Sequence, residues 1–499
     1  MSEFIGRELD VTITPCTSEW GVYPKGKDAP VEEDKPLKYV ANEDDYTTAP
    51  HYSEPYRPLY HFTTQRGWIN DPNGCIYVDG KYHLYYQHCP GSIQSMWDNN
   101  HWGHAVSTDL FNWVEYEPPL RYPHEASGTG FFNRETGKVM ASASHRIYES
   151  DDRGYHYHIY GYNKAGSGDP KFFWHEETQR YISITLRDIE SYHVASSPDF
   201  ENWTHESDIE NFRECPEMIK YRIEGEDEYK WVLNGGDGAY IIGLFDGHRF
   251  IRDEIDLARP DKYVHVMEAT RYFTNKYNGY FIDPTQPDTE SRYSAYAFQN
   301  FDSAPDGRHI RIAWYTVPFH AHGEAFTQAM TIPQELTLRR TPFGLRLCAM
   351  PVKEIANYYT EQKSGESVKF DDGEGFDTDA VFTLSADYED GTPFAQIREY
   401  TLSYVADKTG RKYGGGDIMF TTPDGHTFPV PFAPRKNDDG TQTIKVRATF
   451  DRLMAEFFLG DGEVYLPLKP RELHCGIEEK PCGNAKAEIK INKIKRSIK

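Results

Sequence analysis

The chain has 499 residues, and its 54 Lys and Arg against 78 Asp and Glu give a formal net charge of −24. That charge excludes nucleic acid and anionic membranes as natural partners, since both need a basic patch. The length exceeds what one hydrophobic core usually serves, so two domains are expected, and 15% aromatic residues with 31 Pro and no sustained 3.6-residue apolar period predict an all-β fold.

In chain order, residues 1–58 are polar, rich in Glu, Asp, Lys and Pro, and read as an extension lying on the body of the protein. The opening residues carry no apolar core of a signal peptide, and no run of 18 apolar residues occurs, so no membrane-spanning helix is expected. Seven Cys without paired spacing suit free thiols, which predicts a cytoplasmic chain. From residue 59 the texture changes to short alternating strands, such as Lys81-Tyr-His-Leu-Tyr-Tyr-Gln87 after the turn at Asp79-Gly80. His101 and His104 form an H-x-x-H with no third ligand in the pattern, so ordinary hydrogen-bonded histidines are expected and no metal.

An internal echo follows. Ser107-Thr-Asp-Leu-Phe-Asn-Trp113 and Ser197-Pro-Asp-Phe-Glu-Asn-Trp203 share the pattern S-x-D-apolar-x-N-W about 90 residues apart. Propeller blades run to about 40–50 residues, so the interval fits two blades. The Asp and Asn would cap a tight turn, and the Trp would open the next strand and pack between blades. A β-sandwich with similar turns is the alternative. A boundary falls near Pro351, after Thr331-Ile-Pro-Gln-Glu-Leu-Thr-Leu-Arg339; a polar stretch from Tyr359 to Gly375 follows, and strand-and-turn alternation then runs to the end. The expected organisation is an extension at 1–58, a five-bladed β-propeller at 59–350 and a β-sandwich at 351–499.

No phosphate-binding glycine loop and no G-x-S-x-G elbow is present. Three carboxylates stand out at proline-marked bends: Asp71 in Trp68-Ile-Asn-Asp-Pro-Asn-Gly74, Asp169 in Gly168-Asp-Pro170, and Glu214 in Glu214-Cys-Pro-Glu217. Pro72 lacks an amide donor, so Asp71 is expected to end a strand. Alone, each motif reads as an ordinary turn. Their intervals are close to two blades and one blade, and equivalent positions of successive blades open into one central funnel. Converging carboxylates suit glycosidic cleavage: one stays ionised to attack, one holds a proton for the leaving oxygen, and a third can steady the charged sugar ring.

At these residues the chain resembles glycoside hydrolase family 32, the invertase, inulinase and levanase group, over roughly residues 59 to 499. Trp68 to Gly74 looks like the family's W-M-N-D-P-N-G signature and Glu214-Cys-Pro216 like its E-C-P segment. Tyr86-Gln87, Trp97-Asp-Asn-Asn-His-Trp-Gly-His104, Phe245-Asp-Gly247, Ile332-Pro-Gln-Glu-Leu336 and Gly460-Asp-Gly-Glu463 fall in family order. The resemblance implies a propeller followed by a sandwich, with Asp71 as nucleophile, Glu214 as acid/base and Asp169 as transition-state stabiliser. It also implies that Asn70, Gln87, Trp97 and Ser127 line a fructose subsite, although Trp97 equally suits inter-blade packing and Gln87 a satisfied strand-end amide.

One departure concerns the family's R-D-P motif. Arg187-Asp188 lacks the Pro and follows a strand, so it reads as a mid-blade turn; Asp169 takes the role instead, with Gly168 where the family has Arg. An arginine there would offer a rigid fork of donors to sugar hydroxyls. Glu217 reads as a supporting residue. The activity expected is exo-acting release of fructose from sucrose and short β-fructo-oligosaccharides, without cofactor or metal and with a small sugar as the partner. The alternatives are a fructosyltransferase, an inverting propeller glycosidase acting on arabinose or xylose, and a non-catalytic sugar-binding propeller. The sequence is silent on oligomeric state.

Overall fold

The computed structural model describes residues 52–91, 93, 100–120, 125–166, 168–188, 191–210, 212, 214–236, 238–253, 265–266, 295–317, 319, 323–341, 344–408, 415–423, 425, 427–470 and 472–496. Nearly all regular structure among them is strand, gathered into seven sheets. Five consecutive antiparallel sheets occupy residues 67–351 and have the size of propeller blades. Their first strands are Gly67–Val78, Gly128–Phe132, Gly168–His175, Glu217–Arg222 and Ala295–Asn300. The first of these touches the second and fifth, the second touches the third, and the fourth touches the fifth, so the five lie around a common axis. Phe326–Thr327 pairs in parallel with Gly67–Trp68, which ties the end of the circuit to its start.

The repeated motif builds the same turn in the first and third sheets. Asp109 Oδ1 accepts from the amides of Phe111 (3.0 Å) and Asn112 (2.8 Å), and Asp199 Oδ1 accepts from those of Glu201 (3.0 Å) and Asn202 (2.8 Å). The residue after each Asp-capped step, Leu110 or Phe200, adopts a left-handed φ of 69° or 63°. Its carbonyl takes the indole N–H of Trp113 or Trp203 at 2.9 Å. Trp113 then packs in the core shared by the first and fifth sheets, and Trp203 in that shared by the second and third. Phe245-Asp-Gly247 makes a related turn in the fourth sheet, where Asp246 Oδ1 accepts from the amides of His248 and Arg249.

Beyond the propeller a short 3-10 helix, Lys353–Tyr358, leads into two packed sheets. One contains Tyr359–Gly365, Lys486–Ile494, Gly375–Leu384, Gln442–Asp451, Met454–Leu459 and Val464–Leu468. The other contains Val368–Phe370, Ile477–Pro481, Pro393–Ile397, Tyr400–Ala406, Gly416–Thr421 and Thr427–Phe432. Alternate residues of both meet in an apolar core that includes Phe376, Phe382, Leu402, Phe420 and Phe457, as expected of a sandwich. The polar stretch after Tyr359 is not a linker: Tyr359–Gly365 is an exposed edge strand bonded only to Lys486–Ile494. An edge exposed to water keeps polar and charged side chains, which hides its strand character from an alternation reading.

The two domains share a core in which Tyr60, Phe62 and Phe298 meet Phe458, Tyr465 and Ile494. Within it His61 is fully buried between Asp451 (Nδ1 to Oδ2, 2.9 Å) and Glu456 (Nε2 to Oε2, 2.6 Å). Glu456 also accepts from the Ile332 amide at 3.1 Å. Burial alone would lower the His61 pKa, but the hydrogen bonds and charges of the two carboxylates outweigh it and raise it to about 9. Residues 52–58 are partly built into the body: the guanidinium of Arg57 is buried, donates to Thr63 Oγ1 (2.8 Å) and lies 3.5 Å over the Phe326 ring.

Candidate active site

Asp71 lies inside the strand Gly67–Val78, not at its end as the following proline suggested. The pairing with Lys81–Cys89 slips between Ile69 and Pro72 and again between Asn73 and Ile76. These bulges on an innermost strand let Pro72 omit its donor without ending the strand. Gly74 adopts φ +57°, and a Cβ there would fall 2.8 Å from the Trp102 ring, so only glycine fits the close approach. With its side-chain amide O and N exchanged, the orientation its neighbours favour, Asn73 donates to Pro72 O (3.1 Å) and accepts from Gln87 N (3.2 Å), which fixes the bulge to the second strand.

Around Asp71 the side chains are polar and buried. Its Oδ2 accepts from Gln87 Nε2 (3.3 Å) and Ser127 Oγ (3.2 Å), and Gln87 also donates to Ser127 Oγ (3.2 Å). Ser127 immediately precedes the first strand of the second sheet. The Cys215 thiol completes this ring at 3.8 Å from both Asp71 Oδ2 and Asp169 Oδ2. Asn70 Oδ1 and Gln87 Oε1 are buried with no partner among the described residues. Buried acceptors left without donors are costly, and in a cleft they mark where a ligand's hydroxyl groups are received.

Asp169, the second residue of the innermost strand of the third sheet, has φ +41° and accepts from the Cys215 amide at 3.0 Å. Cys215 itself has φ +51°, and Ala297, on the innermost strand of the fifth sheet, φ +54°. Left-handed backbone at a non-glycine residue costs on the order of 1–3 kcal/mol and clusters where function demands a particular aim. The Gly236 amide donates to Glu214 O (2.8 Å) and Ala297 N donates to Gly236 O (2.7 Å). This ladder carries Tyr296 beside Glu214, where its hydroxyl donates to Oε2 at 2.8 Å. Beneath the carboxylates a small cavity is lined by Pro72, Ser127, Asp169, Cys215, Glu217 and Gln299 among others. There Glu217 is paired with Lys171 (2.9 Å) and accepts from Asn300 Nδ2 (3.1 Å), the supporting position expected of it.

Charge is crowded here. Burial, then the charges of Asp169 and Glu214, push the Asp71 carboxyl well above the usual carboxylate range, while Ser127 and Cys215 pull against them. Asp169, partly open at the floor of the site yet packed by protein, is raised by desolvation against the opposing Cys215 amide. The Cys215 thiol is pushed up by burial and then by the carboxylates, so it is a neutral donor and not a nucleophile. The crowding therefore opposes ionisation of all of these carboxylates at once.

Of the residues singled out in the sequence, Asp71, Asp169, Glu214, Gln87 and Ser127 come together here; Asn70 is the buried residue preceding Asp71 on the same strand, and Trp97 lies outside the described residues. Arg187-Asp188 ends the second strand of the third sheet, exposed and paired with Asp208 and Glu210, away from the cluster. A Cβ on Gly168 would stand 2.7 Å from Leu186 Cβ, so an arginine at this position requires the neighbouring strand to move. His101 and His104 face opposite sides of their strand: His88 packs on the first, Tyr85 and His83 on the second. Sequence reasoning missed Cys215 as a bridge between Asp71 and Asp169, although it stands inside the quoted E-C-P segment. Tyr296 it missed entirely, since a tyrosine 82 residues from its partner carries no spacing signal.

Comparison with known proteins places this architecture. A model described as the glycosyl hydrolases family 32 N-terminal domain matches residues 61–148 and 158–351, more than half of the chain. A levanase of Bacillus subtilis (strain 168) is 27% identical over 484 residues, covering 84% of this chain and 67% of its own length. An extracellular exo-inulinase of Meyerozyma guilliermondii is 30% identical over 339 residues, covering 57% of this chain and 60% of its own. The chain thus spans about two thirds or less of these relatives. Among solved structures, the fructofuranosidase of Schwanniomyces occidentalis complexed with fructose superposes with a TM-score of 0.72 at 19% identity, over 90% of this chain and 100% of that one. Exo-inulinase of Aspergillus awamori gives 0.69 at 19% identity, over 89% and 99%. A propeller-and-sandwich chain with three carboxylates crowded at the propeller's axis, matched over most of that propeller, belongs to glycoside hydrolase family 32 and is a glycosidase.

Proposed function

We propose that the protein is an exo-acting β-fructofuranosidase that releases fructose, with retained configuration, from sucrose and short β-fructo-oligosaccharides. The observation that carries this reading is Asp71: its Oδ2 is held by Gln87 and Ser127, it is coupled in charge to Asp169 and Glu214, and Gln87 Oε1 is a buried acceptor without a partner among the described residues. Relatives named levanase, exo-inulinase and invertase support the fructosyl donor.

With Oδ2 engaged by its donors, Oδ1 of Asp71 is the attacking atom at the anomeric carbon of the fructosyl ring. Glu214, one oxygen held by the Tyr296 hydroxyl, protonates the departing glycosidic oxygen. Asp169, aimed by its left-handed backbone and the Cys215 amide, sits against the ring as positive charge develops. Water, activated by Glu214 now acting as base, then breaks the fructosyl ester and regenerates Asp71. The neutral sugar enters a site without a phosphate-binding loop, and no step calls for a cofactor. A cytoplasmic location is supported by the six cysteines among the described residues, which are all free, although similar exo-inulinases are named extracellular.

The test is fructose release from sucrose, 1-kestose, inulin and levan by the wild type and Asp71→Asn, with the anomer of the first product followed by NMR. Release as the β-anomer, abolished in the variant, supports the reading. No release by a folded wild-type chain, or release with inversion, overturns it.

A further inference from the structure

Away from the axis, on the two outermost strands of the third sheet, two imidazoles and a carboxylate gather. His193 lies on Ser191–Ser197; His205 and Asp208 lie on the outer strand, Thr204–Glu210. His193 pairs directly with Asp208, whereas Ala195 pairs with His205, because the register shifts between Val194 and Ala195. This bulge inserts Glu206 as an extra residue. Residues three apart on a regular strand face opposite ways; the bulge turns His205 to the face that holds His193 and Asp208.

We propose that His193, His205 and Asp208 bind a zinc-class divalent transition ion that clips the outer strand of the third sheet to its neighbour. His193 Nδ1 lies 3.2 Å and His205 Nε2 3.1 Å from the same oxygen, Asp208 Oδ1. Bonds of about 2.0–2.1 Å place neighbouring ligand atoms of a tetrahedral ion about 3.3 Å apart, which these two separations match, and ligand atoms of all three residues lie within 4.8 Å of one another. The rings stack with centroids 4.2 Å apart, and His205 is the more exposed of the two. Two imidazoles and one carboxylate suit zinc, nickel or copper and disfavour magnesium and calcium, which take oxygen ligands.

The surroundings fit an ion. Arg187 donates to the other oxygen, Oδ2, at 2.8 Å, which orients the carboxylate and leaves Oδ1 toward the imidazoles. That guanidinium is itself shared with Asp188 (3.4 Å) and Glu210 (2.9 Å), so three carboxylates surround one cation. No spacing motif announces the site, because the ligands come from two strands and the bulge is invisible in sequence. The inference is independent of the fructosidase reading.

The experiment uses the full chain without a histidine tag, stripped with EDTA and desalted, and titrates it calorimetrically with zinc chloride. One equivalent is expected to bind, to raise the unfolding temperature, and to be displaced by neither magnesium nor calcium. His205→Ala and Asp208→Ala should each weaken binding about tenfold or more, while His156→Ala, which removes another exposed His–Asp pair, should leave it unchanged. Cobalt in place of zinc should give the intense visible bands of a four-coordinate site in the wild type, a readout that does not depend on any variant folding. No saturable binding, or binding that survives His205→Ala and Asp208→Ala, would overturn the proposal.

Discussion

The centre of the propeller and the centre of the sandwich are built from the same short antiparallel strands and hold opposite contents. Inside the sandwich, strand after strand contributes Phe, Leu, Ile and Val, and the face-to-face sheets close on themselves. At the propeller axis the innermost strands contribute Asp71, Asn70, Asp169, Lys171, Glu217 and Asn300. Sheets radiating from an axis pack against their neighbours through their flanks, so their inner edges are left to polar side chains. The propeller thus stores like-charge repulsion and left-handed backbone at its axis, and apolar burial elsewhere offsets the cost.

The sharpest way to break this contrast is Asp71→Asn. It removes the attacking oxygen and one of three coupled charges together. Fructose release should fall by about 10⁴-fold or more, as for loss of other covalent nucleophiles. The unfolding temperature should stay level or rise, since a raised carboxyl pKa means the ionised group opposed folding. Assay and calorimetry on the same sample check both; a variant equally inactive and markedly less stable would show that the site is not where the strain lies.

A second test separates the two domains. His61→Ala strands Asp451 and Glu456 in the shared core without their cation, at a cost of about 3–5 kcal/mol. Calorimetry should show the transition moving down and splitting into propeller and sandwich components. The pH dependence has a definite sign. With the folded pKa raised to about 9, the wild-type contribution is fully present below the unfolded value near 6.5 and is lost as pH rises through 9. The variant should lose that slope.

Glu479 is the exception inside the sandwich. Its carboxylate faces the core near Thr378, with neither oxygen meeting hydrogen-bond geometry. Burial raises its pKa to about 8, with a smaller push from the charge of Asp379. Folding holds its proton where the unfolded chain has released it, so stability falls as pH rises from about 4.5 to 8. Glu479→Gln should flatten that slope and stabilise the fold at pH 8 by on the order of 2 kcal/mol, with fructose release unchanged.

Much of the fold was legible because its signals are local. The S-x-D-apolar-x-N-W turn is written in seven consecutive residues, and Asp-Pro and Glu-Cys-Pro mark bends that chemistry can use. Signals that misled were tertiary. Pro72 read as a strand end because the bulges that accommodate it depend on the partner strand. Tyr359–Gly365 read as a polar stretch because being an edge is a property of the sheet. The arginine missing before Asp169 was visible, but its reason, Leu186 packed over Gly168, lies across the ladder.

The smallest expected effect concerns Tyr296, which no spacing pointed to. Its hydroxyl donates to Glu214 Oε2 from the fifth sheet, held there by the ladder through Gly236 and the left-handed Ala297. If its task is to hold the acid in line with the glycosidic oxygen, Tyr296→Phe should lower kcat about tenfold, the worth of one hydrogen bond to a charged group, and leave KM nearly unchanged. The loss should depend on the leaving group. With sucrose, departure of the oxygen needs a proton and the deficit should be full; with an aryl β-fructofuranoside, whose phenolate leaves without one, it should shrink toward unity. A deficit of equal size on both substrates would mean that Tyr296 shapes the fructosyl subsite and does not serve the acid.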